Sequence, residues 1–171
     1  DLQLGLLERF RSLPMARSAV LMGRTSADLV RNAFAVLLMT LVGYIVGFRC
    51  QTNVFGLIGA LLLVLMFAYS LSWVFSFIGL STPNAEAAQA ASFPIIAIFV
   101  FASSAFVPVA TMPGALQAFA NNQPVTIVIN AVRALVIGGP TAGKVLAALA
   151  WIVGIVVVFA PLSVWRYRRV A

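Results

Sequence analysis

Apolar runs alternate with short polar gaps along the whole chain, and the gaps hold the charge. No charged residue lies between Arg31 and Arg49, between Arg49 and Glu86, between Glu86 and Arg133, or between Lys144 and Arg166. A helix of roughly 20 apolar residues crosses a bilayer core of about 30 Å, and a charge at its centre costs on the order of 3 kcal/mol. The pattern therefore predicts an all-α, polytopic membrane protein with four spans, over about 32–48, 54–80, 93–107 and 145–165. Gly43 and Gly47 in the first span form a small-residue pair that would let another backbone approach closely. The second span exceeds what a bilayer needs, which implies tilt. Ser81-Thr82-Pro83-Asn84 reads as a helix start, and the Ala-rich stretch behind it, with Glu86 and Gln89, as a link to the third span. Pro94 marks a kink in that span.

Region 108–143 behaves differently. Pro108, Pro113, Pro124 and Pro140 break it into apolar pieces at 115–120 and 125–137, each too short to cross alone. Broken backbone at membrane depth must be buried in protein, so the region is expected as a re-entrant hairpin. Residues 1–31 form the other distinct segment, with Arg9, Arg11, Arg17, Arg24 and Arg31. Leu6, Phe10 and Leu13 share a helical face, and Pro14 interrupts, predicting two short helices that meet near 13–15. Asp28 lies within reach of both Arg24 and Arg31. The chain thus divides into a cytoplasmic amphipathic segment, 1–31, and a transmembrane domain, 32–171.

Four crossings place both visible ends on one side. Eight of the eleven basic residues lie in the first 31 residues and the last six; Arg49, Arg133 and Lys144 are left for the other face. By the positive-inside rule both ends are cytoplasmic and the hairpin is outside, in an inner or plasma membrane. Trp165 and Tyr167 then anchor the inner interface.

Composition narrows the chemistry. Hydrophobic residues make up 63% and charged residues 9%, against about 25% charged in an ordinary soluble domain. The chain begins at Asp1 with neither methionine nor a secretory signal, and reads as a membrane domain seen from part-way in. The net charge of +7 is accounted for by basic residues facing lipid headgroups, so no nucleic-acid partner is expected. There is one cysteine, Cys50, and no histidine, which removes the commonest general base and metal ligand. The acids Asp1, Glu8, Asp28 and Glu86 all fall outside the predicted spans. No catalytic, cofactor or metal site is expected in this chain. Gly138-Gly139-Pro140-Thr141-Ala142-Gly143-Lys144 approaches a phosphate-binding loop, but Val145 stands where Mg²⁺ needs a hydroxyl and Pro140 removes an amide. It reads as a Gly/Pro turn.

Other features admit two readings. Gly56, Gly59, Ser70, Ser72 and Ser76 suit helix packing or a polar strip along a substrate path. Phe99, Phe101, Ser103, Ser104 and Phe106 are open in the same way. Arg133 either snorkels to headgroups or latches Asn121, Asn122 or Gln123.

Two stretches carry a resemblance. Leu6-Leu7-Glu8-Arg9-Phe10-Arg11-Ser12-Leu13-Pro14-Met15, followed by Gly23-Arg24, resembles the cytoplasmic loop of type 2 ABC exporter permeases, closest to the daunorubicin-resistance-type drug and lipid permeases. Phe106-Val107-Pro108, Met112-Pro113, Asn122-Gln123-Pro124-Val125-Thr126 and then Arg133 resemble that family's outer hairpin. The resemblance implies six spans, of which these are the last four. It implies that Leu6, Glu8, Arg9, Phe10, Arg11 and Leu13 form a coupling helix docking on a separate ABC ATPase, which holds the ATP and Mg²⁺. It also implies a second permease subunit, homo- or heterodimeric, and an amphipathic drug or lipid substrate. The path or outer gate would involve Phe99, Ser103, Phe106, Met112 and Arg133. The alternative is a membrane scaffold or assembly subunit with no transport path.

Overall fold

A computed structural model of the chain describes residues 17–106 and 108–170. The predicted coupling segment, with Leu6, Glu8, Arg9, Phe10, Arg11 and Leu13, lies outside the described residues, as does the break expected at Pro14. Six α-helices follow in order: α1 (Arg17–Val46), α2 (Val54–Ser81), α3 (Ala85–Phe101), α4 (Gly114–Asn122), α5 (Pro124–Ile137) and α6 (Ala142–Val170), with a 3₁₀ turn at Val109–Thr111.

Among the described residues, three stretches are long and apolar enough to cross a membrane: Ser26–Val46, Val54–Ser81 and Ala142–Arg169. Their outward faces explain why water cannot be the solvent. Phe34, Met39, Ile45 and Val46 on α1 are 69–82% exposed, and Phe55 on α2 is 82% exposed. Apolar surface this continuous is what lipid accommodates.

The third predicted span, over 93–107, is not among these three stretches. Glu86, Gln89 and the apolar run beyond them form one helix of 17 residues, Ala85–Phe101, that continues through Pro94. Asn84 caps it, its side chain accepting from the Ala87 amide at 2.8 Å, and Glu86 sits in the first turn, where the helix dipole favours an acid. With the helix begun early, its rise is spent by Phe101 rather than Val107. The helix α1 runs unbroken from Arg17 through Val46, so residue 31 lies within it.

The hairpin is two helices, close to the expected pieces. Pro113 caps α4, and Pro124 opens α5, where a missing amide costs nothing. At 14 residues, α5 rises about 21 Å, too little to cross. It is the most enclosed helix of the fold, burying Thr126, Val128, Ala131, Ala134 and Val136. Leu63 of α2, Val128 and Ala131 of α5, and Ala148 and Ile152 of α6 form the core cluster.

One end of α5 is tied to the α1–α2 turn. The Gln51 amide donates to the Val136 carbonyl at 3.0 Å, and the Thr52 hydroxyl to the Leu135 carbonyl at 2.6 Å. Gly56 makes this approach feasible, because a Cβ there would stand 2.5 Å from the Leu135 oxygen. The close contact therefore falls at Gly56, not at the predicted pair. A Cβ on Gly43 would meet nothing nearer than Phe48 at 3.8 Å, and Gly47 instead ends α1 at φ +108°. Two serines of α2 bond their own helix: Ser70 donates to the Phe67 carbonyl and Ser72 to the Ala68 carbonyl. Ser163 of α6 reaches across to the Trp73 carbonyl of α2 at 3.0 Å. At the far end of α6, the Arg169 guanidinium lies 4.0 Å from the Trp165 ring centroid, a cation–π arrangement suited to an interface.

Candidate functional site

The last turn of any helix leaves carbonyls without partners, and α3 ends beside the start of α5, inside the bundle. Its continuation, 102–105, is held by one face of α5. Gln123, Thr126, Asn130 and Arg133 recur at i, i+3, i+7 and i+10, which brings them onto one stripe.

Each member of the stripe has a partner in the broken segment. Gln123 Nε2 donates to the Ala102 carbonyl at 2.8 Å and to Thr126 Oγ1 at 3.2 Å. The Ser104 amide donates to Thr126 Oγ1 at 3.2 Å, so this hydroxyl accepts two bonds. The Ser104 hydroxyl donates to Asn130 Oδ1 at 3.4 Å, and Arg133 Nη2 to the Ser104 carbonyl at 2.7 Å. Ser103 turns back, donating to the Val100 carbonyl at 2.6 Å and accepting from the Ala105 amide at 3.1 Å. Ser103, Ser104, Gln123 and Thr126 are all buried. Gln123 Oε1 is buried with no partner among the described residues. In a low-dielectric interior such bonds are strengthened and each unpaired group is costly, so the clamp either closes with all its members or opens as a unit.

Aromatic pairs flank the clamp. Phe99 meets Phe119 of α4 at 6.1 Å between centroids. Phe106 stacks on Phe101 at 5.9 Å, with both rings exposed. Met112 closes the 3₁₀ turn through its amide, which donates to Val109.

Of the five gate residues expected from sequence, Ser103 and Arg133 thus meet around Ser104, and Phe99 and Phe106 border them. The latch left open for Arg133 against snorkelling does not form with Asn122 or Gln123: a main-chain carbonyl takes the Arg133 bond, Gln123 serves Ala102, and Asn122 bonds its own helix at Ala118. Thr126 and Asn130 were missed, although their spacing with Gln123 and Arg133 on an otherwise apolar helix is visible in the sequence.

Residues 1–137 match the family model described as ABC-2 type transporter. The chain belongs to the ABC-2 type transporter family. The helical fold and the apolar helices accord with a multi-pass ABC-2 membrane protein. Among curated proteins, this ABC-2 chain is 33% identical over 169 residues to the daunorubicin resistance ABC transporter permease protein DrrB1 of Streptomyces coeruleorubidus, covering 99% of this chain and 60% of the relative. It is 32% identical over 169 residues to the probable doxorubicin resistance ABC transporter permease protein DrrC of Mycobacterium tuberculosis, covering 96% and 59% respectively. The doxorubicin resistance permease DrrB of the same organism aligns over 87 residues at 31% identity, covering 51% of this chain and 30% of the relative. The chain spans about three fifths of the length of the first two. No solved structure matches.

Proposed function

We propose that this chain is the permease component of an ATP-driven exporter that moves an amphipathic drug or lipid out across the cytoplasmic membrane. Relatives named as drug-resistance permeases support the transport class. The observation that carries the reading, against an inert scaffold, is the clamp after α3: Gln123, Thr126, Asn130 and Arg133 along one face of α5 hold the broken backbone 102–105. Irregular backbone in a bilayer is tolerated only where protein or a cavity receives it, and a bonded break is the element that can move.

In this reading a separate ABC ATPase subunit binds ATP and Mg²⁺ and does the hydrolysis; the permease carries no catalytic residue. Two permeases pair, and the substrate passes between them. The segment with Leu6, Glu8, Arg9, Phe10, Arg11 and Leu13 docks on the ATPase and passes its closure to the spans. The clamp and its flanking residues Phe99, Ser103, Phe106, Met112 and Arg133 form the outer gate. The arginine-rich ends face the cytoplasm.

The experiment is co-expression of the full-length permease with a candidate ABC ATPase subunit, with drug efflux and ATPase activity measured together. Phe10→Ala and Glu8→Arg are expected to weaken association or to uncouple hydrolysis from efflux, because truncating a contact at a buried centre typically costs more than about 1 kcal/mol. Normal association, hydrolysis and efflux in both variants would reduce the segment to a surface anchor. Normal efflux with the ATPase deleted would remove the ATP-driven reading altogether.

A further inference from the structure

A charge without a partner on the wall of a membrane-spanning bundle calls for a counter-ion. Asp28 and Arg31 lie in the span Ser26–Val46, three residues apart and so on one face of α1. That spacing permits an ion pair, yet neither side chain pairs with the other or with any other described residue. Asp28 is half-buried and Arg31 exposed. Counting back from Val46, Arg31 lies about 22 Å and Asp28 about 27 Å along the axis. Both are therefore near one boundary of an apolar core of about 30 Å.

The two charges border a cavity of about 840 Å³. Its floor is α2, with Leu71 and Phe75; its far wall is the start of α3; Tyr167 of α6 closes one side. The cavity thus has a dipolar wall set against a floor in which Leu71 and Phe75 alternate with Ser72 and Ser76.

We propose that this cavity binds a glycerophospholipid whose head carries both a phosphate and an ammonium group. Arg31 takes the phosphate and Asp28 takes the ammonium, while Leu71 and Phe75 receive the first part of an acyl chain. In such a head two carbons separate the phosphate oxygen from the amine, a reach suited to residues whose axial separation is about 4.5 Å. A purely anionic head would set its phosphate beside Asp28, and a purely cationic amphiphile would set its amine beside Arg31. Like charges so placed oppose binding. The site requires only that the bundle crosses a bilayer and is independent of what the protein exports.

Native mass spectrometry of the full-length protein, equilibrated with dioleoyl phosphatidylethanolamine and dioleoyl phosphatidylglycerol, tests it. The wild type is expected to retain phosphatidylethanolamine in preference. Asp28→Asn is expected to lower that preference roughly threefold, the size of one exposed ion pair. The paired exchange Asp28→Arg with Arg31→Asp keeps both charges and is expected to restore it. Equal retention of the two lipids by the wild type, or an unchanged ratio in Asp28→Asn, overturns the proposal. A photo-crosslinking side chain at Ser76, which also lines the cavity, is expected to yield a phospholipid adduct. An adduct to another segment of protein overturns it.

Discussion

Arg133 donates a 2.7 Å hydrogen bond from Nη2 to the main-chain carbonyl of Ser104, 29 residues earlier in the chain. Ser104 is past the end of α3, where its carbonyl has no helical partner to expect. The guanidinium therefore acts as a remote cap, joining the unwound end of one helix to the face of another. An arginine held in this way is doing more than reaching for lipid headgroups.

Removing that cap should loosen the hairpin. Arg133→Ala is expected to lower stability by about 1 kcal/mol, below the roughly 1.5–3 kcal/mol of bonds to charged groups, because the side chain is exposed. Arg133→Lys should recover only part of this, since an ammonium offers a point charge where the guanidinium offers a directed fork. Thermal unfolding in mild detergent measures both. Three indistinguishable melting curves would reject the clamp.

Thr126 sits at the centre of the same network and is wholly buried. Thr126→Val leaves the Ser104 amide and Gln123 Nε2 short of an acceptor at similar volume, which should cost roughly 1–3 kcal/mol. Thr126→Ser keeps the oxygen and should cost much less. Hydrogen exchange at 102–106 reports the change directly: faster in the valine variant, near wild type in the serine variant.

The opposite end of α5 makes a steric prediction. At Gly56 an added methyl would stand 2.5 Å from the Leu135 oxygen and 2.6 Å from Thr52 Oγ1. Backbone cannot yield as a side chain does, so Gly56→Ala should be strongly destabilising. Gly59→Ala should be tolerated, because its nearest neighbours are side-chain carbons of Leu135 at 3.8 Å and 3.9 Å. Expression yield and melting temperature of the two variants compare them; equal values would mean the turn is not held against α5.

Orientation can be read with a moved thiol. Cys50 is partly shielded, its sulfur 3.5 Å from the Val136 carbonyl, whereas Gln51 is exposed. In a Cys50→Ser background, Gln51→Cys is expected to react with an impermeant maleimide in intact cells, given the basic ends opposite. Reaction only after the membrane is breached would invert the topology.

Much of this architecture was legible because its causes are local. A charge in a span is costly wherever the span ends up, so the charge-free runs mark the membrane helices before any packing is known. Proline lacks an amide in every context, so Pro113 and Pro124 divide the hairpin at nearly the observed residues. Ser103 and Arg133 could be singled out too, since polar groups in an apolar segment need a partner, and both bond within or across the break after α3.

Tertiary structure decided which groups meet. Thr52 and Leu135 are 83 residues apart, and no periodicity states that their helices will touch, or at which turn. The close backbone approach went to Gly56 instead of Gly43 and Gly47 because small residues permit contact without directing it. Among the described residues Asp28 makes no ion pair with Arg31, although their spacing allows one. The residue types were chosen by solvent, position by position; the partners were chosen by how the faces of α2, α3, α5 and α6 came together, a property that belongs to no single stretch of chain.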